Sequence, residues 1–286
     1  MVCTLITTSH LPEGIWFRED EDFKVGMNYV ALVVKNTGVR MLSFILMSNH
    51  VHFLVECLRR EADEFITQFK RRYSIYYQKK YGTKEFLRRN TVDFRDIPYD
   101  GESLERAIAY VQMNSVAANI CLSPTQYPWG TGDVFFSNNP TRGEQACNLS
   151  KEFKKRITHS HDQIPDTFLI NNEYILPSSY VEVEFVERLF RTPKRMQFFL
   201  VNSSKAKVAL SAAESHMPSF RDQSILAAIP DLCRSLFHLD SLQLLSDENK
   251  SVLLKEIRRR FSTDIGQIGR VLGLEYPEII RLLNAF

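Results

Sequence analysis

Two apolar, β-branched runs meet at one short polar break: Val39 to Met47, then Ser48-Asn49, then His50 to Cys57. Runs of this length on either side of turn residues predict a β-hairpin, and a hairpin alone is too small to be stable, so other elements must cover it. The flanking sequence supplies them. Val2 to Thr8 predicts a strand, and Asp20 to Val34 an amphipathic helix with acids at its start. Leu58 to Tyr81 predicts a long helix stopped by Gly82, Thr91 to Pro98 a strand, and Gly101 to Ile120 another helix. The order β-α-β-β-α-β-α predicts an α+β fold over residues 1–130, a ferredoxin-like split βαβ sheet with helices packed on one face.

The 286 residues leave room for a second unit. From Gly130 the text turns to Gly, Asn, Pro and Ser, which predicts a linker over 131–150 and a mostly helical accessory domain over 151–286. Within it Lys151 to Ala213 is mixed and hard to parse, whereas Ser224 to Phe286 reads as mostly helical, and the contribution of residues 151–223 is left open. Asp247 to Phe261 predicts a helix, Thr263-Asp264 a cap, Gly273 a break and Pro277 a new start. A helix-turn-helix over 263–284 would offer Arg270 and Arg281 to DNA; a plain helical packing module fits the same pattern. With 44% hydrophobic and 24% charged residues, the chain is outside the disordered, collagen-like and coiled-coil classes. No apolar run approaches the roughly 18 to 20 residues of a membrane span, and MVCTLITTSH is not a secretory leader, so a cytoplasmic protein without membrane contact is expected. Cys3, Cys57, Cys121, Cys147 and Cys233 form no C-x-x-C pair, which argues for reduced thiols and against a zinc ribbon.

Net charge is only +2, yet Gln68 to Arg89 holds eight basic residues against the single acid Glu85. Lys70, Arg71, Arg72, Lys79 and Lys80 suit phosphate neutralisation, and Tyr73, Tyr76 and Tyr77 suit stacking on unpaired bases. The alternative is a solvated helix whose tyrosines pack inward.

The densest chemistry lies in MSNHVHFLVE, residues 47–56. Side chains alternate along a strand, so His50 and His52 share one face while Val51 and Phe53 take the other, half of a metal site or a pair of hydrogen-bonded histidines. On the helix containing AIAYVQMNSVAANI, residues 107–120, Leu104, Ile108, Val111, Ser115 and Ala118 mark the apolar or small stripe. Tyr110 and Asn114 fall on another flank, one turn apart. A phenol and a carboxamide so placed can serve as nucleophile and metal ligand, or be a boundary tyrosine beside a solvated asparagine.

Both motifs in this order, with the basic helix between them and YPWG after them, resemble the single-tyrosine HUH transposases, in particular the REP-associated and insertion-sequence branch. Typical family forms are M-P-N-H-V-H-x-L, Y-I-x-x-N-P-V-R-A-G-L and a closing D-Y/W-x-(W/Y)-S-S. The resemblance covers about residues 1–130. It implies His50, His52 and Asn114 as ligands of a divalent cation, Mg²⁺ or Mn²⁺, and Tyr110 as the nucleophile. It further implies single-stranded or hairpin DNA as partner, cleaved through a 5′-phosphotyrosine link, and leaves monomer or helix-swapped homodimer open. Ser115, Ala117, Asn119 and Gly130-Thr131 depart from the family's Pro, Arg, Gly and Ser-Ser. The competing expectation is a catalytically inactive DNA-binding regulator that keeps the fold; relaxases carry a third His that is missing here.

Overall fold

The computed structural model describes residues 2–9, 14–84, 86–88, 90–203, 220–239, 241–261, 263 and 265–285. Glu85 and Arg89 of the basic stretch, Asp264 of the expected cap and the part of the unpatterned region from 204 to 219 lie outside them.

Strands β1 (Val2–Thr8), β2 (Arg40–Met47), β3 (His50–Cys57) and β4 (Val92–Ile97) make one sheet in the order β2-β3-β1-β4. Every pairing in it is antiparallel. The predicted hairpin is β2–β3, with Met47 opposite His50. Helices α1 (Asp20–Thr37) and α2 (Arg59–Tyr81) cover one face, where Phe53 packs against Phe65 and Phe69 at ring separations of 5.0 and 5.2 Å. Gly82 ends α2 with φ 72°, a left-handed conformation that glycine adopts without the Cβ clash.

The helix expected over 101–120 is α3 (Ser103–Gln112) followed by α4 (Asn114–Ala117), with an interruption at Met113. Asn114 accounts for it: its Nδ2 donates to the carbonyls of Tyr110 at 2.8 Å and Val111 at 3.1 Å, competing with the backbone ladder. Asn119 leaves this segment at φ 54°, so the position that departs from the family's glycine is held by the residue type that best tolerates the same conformation. Helix α3 packs on the sheet face opposite α2, so helices occupy both faces and not one. Beside β2 runs a strap, residues 127–131, where Leu46 N–H donates to Trp129 O and Thr131 N–H to Phe44 O. A Cβ on Gly130 would lie 2.6 Å from Phe44 O, so only glycine permits this approach.

One apolar core extends from Cys3 to Phe199. The expected linker is part of it, since Phe135 and Ala146 are buried there, and so are the residues that follow. These form the small sheet β5 (Glu144–Gln145), β6 (Leu169–Asn171) and β7 (Tyr174–Ile175), with helices α5 (Lys151–Thr158), α6 (Val183–Phe190) and α7 (Pro193–Val201). Asn28 on α1 ties them down: its buried carboxamide donates to Ile157 O and Glu173 O and accepts from Ile175 N–H. Such a fully paired buried amide fixes the relative placement of the elements it bridges.

A second core is formed by α8 (Asp222–Phe237), α9 (Asp247–Phe261), α10 (Ile265–Leu272) and α11 (Tyr276–Ala285), with Ile15 added from the N-terminal part. It docks next to the hairpin turn through Asp222. That carboxylate is 3% exposed and accepts from Ser48 Oγ at 2.7 Å, Gln267 Nε2 at 2.9 Å and Arg270 Nε at 3.1 Å. Among the described residues, no helix is long and apolar enough to cross a membrane.

Candidate active site

Alternation along β3 sends His50 and His52 to the face that α3 covers. Their rings meet edge to face with centroids 4.9 Å apart, and Tyr110 approaches His52 at 5.7 Å with its ring perpendicular. The three groups singled out from separate sequence motifs are therefore neighbours within one chain.

Hydrogen bonds orient the imidazoles. Asn49 Oδ1 accepts from His50 Nδ1 at 2.8 Å, and Thr7 Oγ1 lies 3.0 Å from His52 Nδ1, across the β1–β3 register that pairs Thr7 with His52. With both Nδ1 atoms engaged, the Nε2 atoms are the ones suited to coordination, the arrangement by which outer partners set tautomer and ring angle. Asn114 spends its amide N–H groups on the carbonyls of Tyr110 and Val111, which leaves Oδ1 as the atom of this side chain that could act as a ligand. Two imidazole nitrogens and a carboxamide oxygen fit a divalent cation of borderline or hard character. Among the described residues no group of three or more His, Cys, Asp and Glu side chains converges as a metal site.

Tyr110 is half-buried and opens onto a cleft of about 490 Å³ between β4 and α3, lined by Thr7, Asp93, Arg95, Ser103 and Arg106 among others. Burial pushes its phenol above the usual value, and the nearby Arg95 charge pulls it partly back. The register explains the lining: Thr7 pairs with Asp93 and Leu5 with Arg95, so β4 turns alternate side chains to the imidazole face. The sequence reading missed Thr7, Asn49 and Arg95. The signal for the first and last was strand pairing, which no local motif contains.

The expected DNA-binding residues divide sharply. Tyr73 and Tyr77 are corrected from base-stacking to core positions. Tyr73 is 0% exposed and donates to Trp16 O, and Tyr77 stacks on Phe86 at 3.8 Å. The physical reason is periodicity: Ala62, Phe65, Ile66, Phe69, Tyr73, Tyr76 and Tyr77 form one continuous buried stripe on α2. Arg72 is paired with Asp162 at 2.5 Å. Lys80 is ringed by Glu19, Glu21 and Asp22; burial opposes its charge, but these carboxylates outweigh burial and hold its pKa above the ordinary value. Lys70 donates to Asn90 O, and burial lowers its pKa. Arg71 and Lys79 are exposed. In the C-terminal helices, Arg270 is held by buried Asp222 and Arg281 Nη2 meets Asp247 at 2.9 Å. Helix α2 lies across the sheet from the cleft, so its basic residues and the imidazole–phenol cluster occupy different faces.

Comparison with known proteins gives one family match: residues 18–113 match the family described as "Transposase IS200 like". A solved structure, "Structure of the REP associates tyrosine transposase bound to a REP hairpin", is similar at 12% identity over 45% of this chain and 76% of that one, with a TM-score of 0.33. No curated protein matches.

Proposed function

We propose that this chain, whose residues 18–113 match the IS200-like transposase family, cleaves and rejoins single-stranded or hairpin DNA through a covalent link to Tyr110. The observation that carries this reading is the edge-to-face meeting of His50, His52 and Tyr110. His50 and His52 through Nε2, and Asn114 through Oδ1, would hold Mg²⁺ or Mn²⁺, which when bound supplies Lewis-acid polarisation of the scissile phosphate.

The chain's own residues do the rest. Tyr110 Oη forms a bond to phosphorus as the bond to the 3′ oxygen breaks in line with it. The electron pair leaves on that oxygen, which takes up a proton to become a 3′-OH, while the phenolic proton is lost. A 5′-phosphotyrosine remains, and its phosphodiester energy allows rejoining without ATP. Half-burial on α3 restrains the phenol and limits competing attack by water. Arg71 and Lys79, exposed on α2, would neutralise phosphates of the same DNA outside the cleft.

Purified protein incubated with hairpin-bearing single-stranded DNA and Mn²⁺ is expected to yield an upstream strand with a free 3′-OH and a downstream strand linked to the protein through its 5′ phosphate. Chelation or His52→Ala should stop both. Hairpin binding with no cleavage at any metal concentration would instead make the chain a DNA-binding regulator.

A further inference from the structure

Arg95 on β4 lines the same cleft as Tyr110. It sits in the middle of the strand, opposite Leu5, two positions from Asp93 and thus on the same face as Thr7 and His52. Its guanidinium is exposed and, among the described residues, forms no ion pair. The other arginine in the cleft is committed: Arg106 Nη2 meets Glu102 Oε2 at 2.8 Å, and the other oxygen of Glu102 faces Arg195. The cleft acids are less able to neutralise Arg95 than their number suggests, since Asp96 Oδ1 takes the hydroxyl of Thr4 on the far side of the sheet.

We propose that Arg95 is a catalytic residue that binds a non-bridging oxygen of the scissile phosphate as Tyr110 attacks it. A planar guanidinium presents paired N–H groups that match a phosphate edge, and it stays charged at any working pH. The attacked phosphorus gathers negative charge on its equatorial oxygens, which a fixed cation beside the nucleophile stabilises more than it stabilises the bound ground state. The strand register, and not a flexible loop, fixes the backbone from which this side chain reaches the cleft.

This assignment rests on the cleavage reading, and its test separates the two. An oligonucleotide is chosen from a randomised hairpin pool by adduct formation with the wild-type protein in Mn²⁺, then prepared with phosphate or neutral methylphosphonate at the cleaved position. Arg95→Ala is expected to slow adduct formation on phosphate about 100-fold while hairpin binding is unchanged, with Arg95→Lys falling between. On methylphosphonate the wild type and Arg95→Ala should differ by less than about 3-fold, because the transition state there carries one negative charge fewer and needs the guanidinium far less. Retention of near wild-type rate by Arg95→Ala on phosphate, in protein whose melting is unchanged, overturns the assignment alone. So does a deficit that stays undiminished on methylphosphonate. Absence of any adduct from the pool with wild-type protein overturns the cleavage reading and this assignment together.

Discussion

The two faces of the main sheet use the same residue types to opposite ends. Under α2, tyrosines and cations are consumed by the structure: Tyr73 donates to Trp16 O, Tyr76 and Tyr81 donate to Asp22, and Lys80 joins the same carboxylate. Under α3, Tyr110 stands beside two imidazoles at an open cleft, and Arg95 is exposed next to it. A tyrosine with its hydroxyl satisfied inside a full aromatic stack is a packing element. Tyr110 is instead half-buried at the mouth of a cleft, with polar neighbours on two strands. Residue type alone does not distinguish them; strand register and helix face do.

The sharpest contrast is Tyr73 against Tyr110. Tyr73→Ala should cost about 3 to 5 kcal/mol in chemical denaturation, as removal of a fully buried aromatic does. Tyr73→Phe should cost only about 1 kcal/mol for the lost hydrogen bond and leave DNA cleavage intact. Tyr110→Phe should do the reverse, shifting stability by less than about 0.5 kcal/mol while abolishing the covalent adduct. A Tyr73→Ala protein of undiminished stability would break the comparison at its root.

The junction between the two cores is next in size. Asp222→Ala strands Arg270 in a partly buried site and should cost about 3 kcal/mol, seen as earlier melting of the helical bundle. Replacing Ser48 by Ala removes one hydrogen bond to the same carboxylate and should cost about 1 kcal/mol.

Alkaline pH sharpens the buried side further. Burial pushes Tyr29 up to about 12, whereas an unfolded tyrosine titrates near its ordinary value of about 10. Below pH 10 both states hold the proton, so stability is unaffected. Above it the unfolded chain releases its proton first, so stability falls as pH rises toward 12, by at most about 1.4 kcal/mol per pH unit for this group. Tyr29→Phe should flatten that part of the stability–pH curve.

The smallest expected effects separate exposed from paired cations on α2. Arg71→Ala and Lys79→Ala should each reduce the salt dependence of hairpin binding by about 0.7 in log–log slope. Arg72→Ala, whose partner is Asp162, should leave that slope unchanged and lower stability by about 0.2 to 1 kcal/mol. Asp162 itself is held below the usual carboxylate range, chiefly by the hydrogen bond from Arg72. Its share of stability is therefore present above pH 4 and lost as pH falls through its lowered value, and Arg72→Ala removes that acid limb.

How much of this was legible in the chain follows from what is local. The hairpin showed itself because turn residues separate two apolar runs, and α2 because its pattern ends at Gly82. His50 with His52, and Tyr110 with Asn114, were readable as same-face pairs, since strand and helix periods are fixed by backbone geometry. The inward turn of Tyr73 and Tyr77 was also present in the spacing that continues from Phe65 and Phe69, but the surrounding lysines and arginines masked it. What periodicity does not contain is pairing at a distance. Arg72 meets Asp162, Asp222 meets Ser48 and Arg270, and Arg95 reaches the cleft only because β4 adds beside β1. The Gly-, Asn- and Pro-rich stretch after Gly130 looked like a tether because its buried apolar side chains, Phe135 and Ala146, are few and far apart.

The most direct test of the account is mass spectrometry of proteolysed protein after reaction with hairpin DNA and Mn²⁺. The account predicts a 5′-phosphonucleotide on the peptide carrying Tyr110, absent when His52 is replaced by Ala. A nucleotide on any other residue, or an adduct that survives Tyr110→Phe, would contradict it.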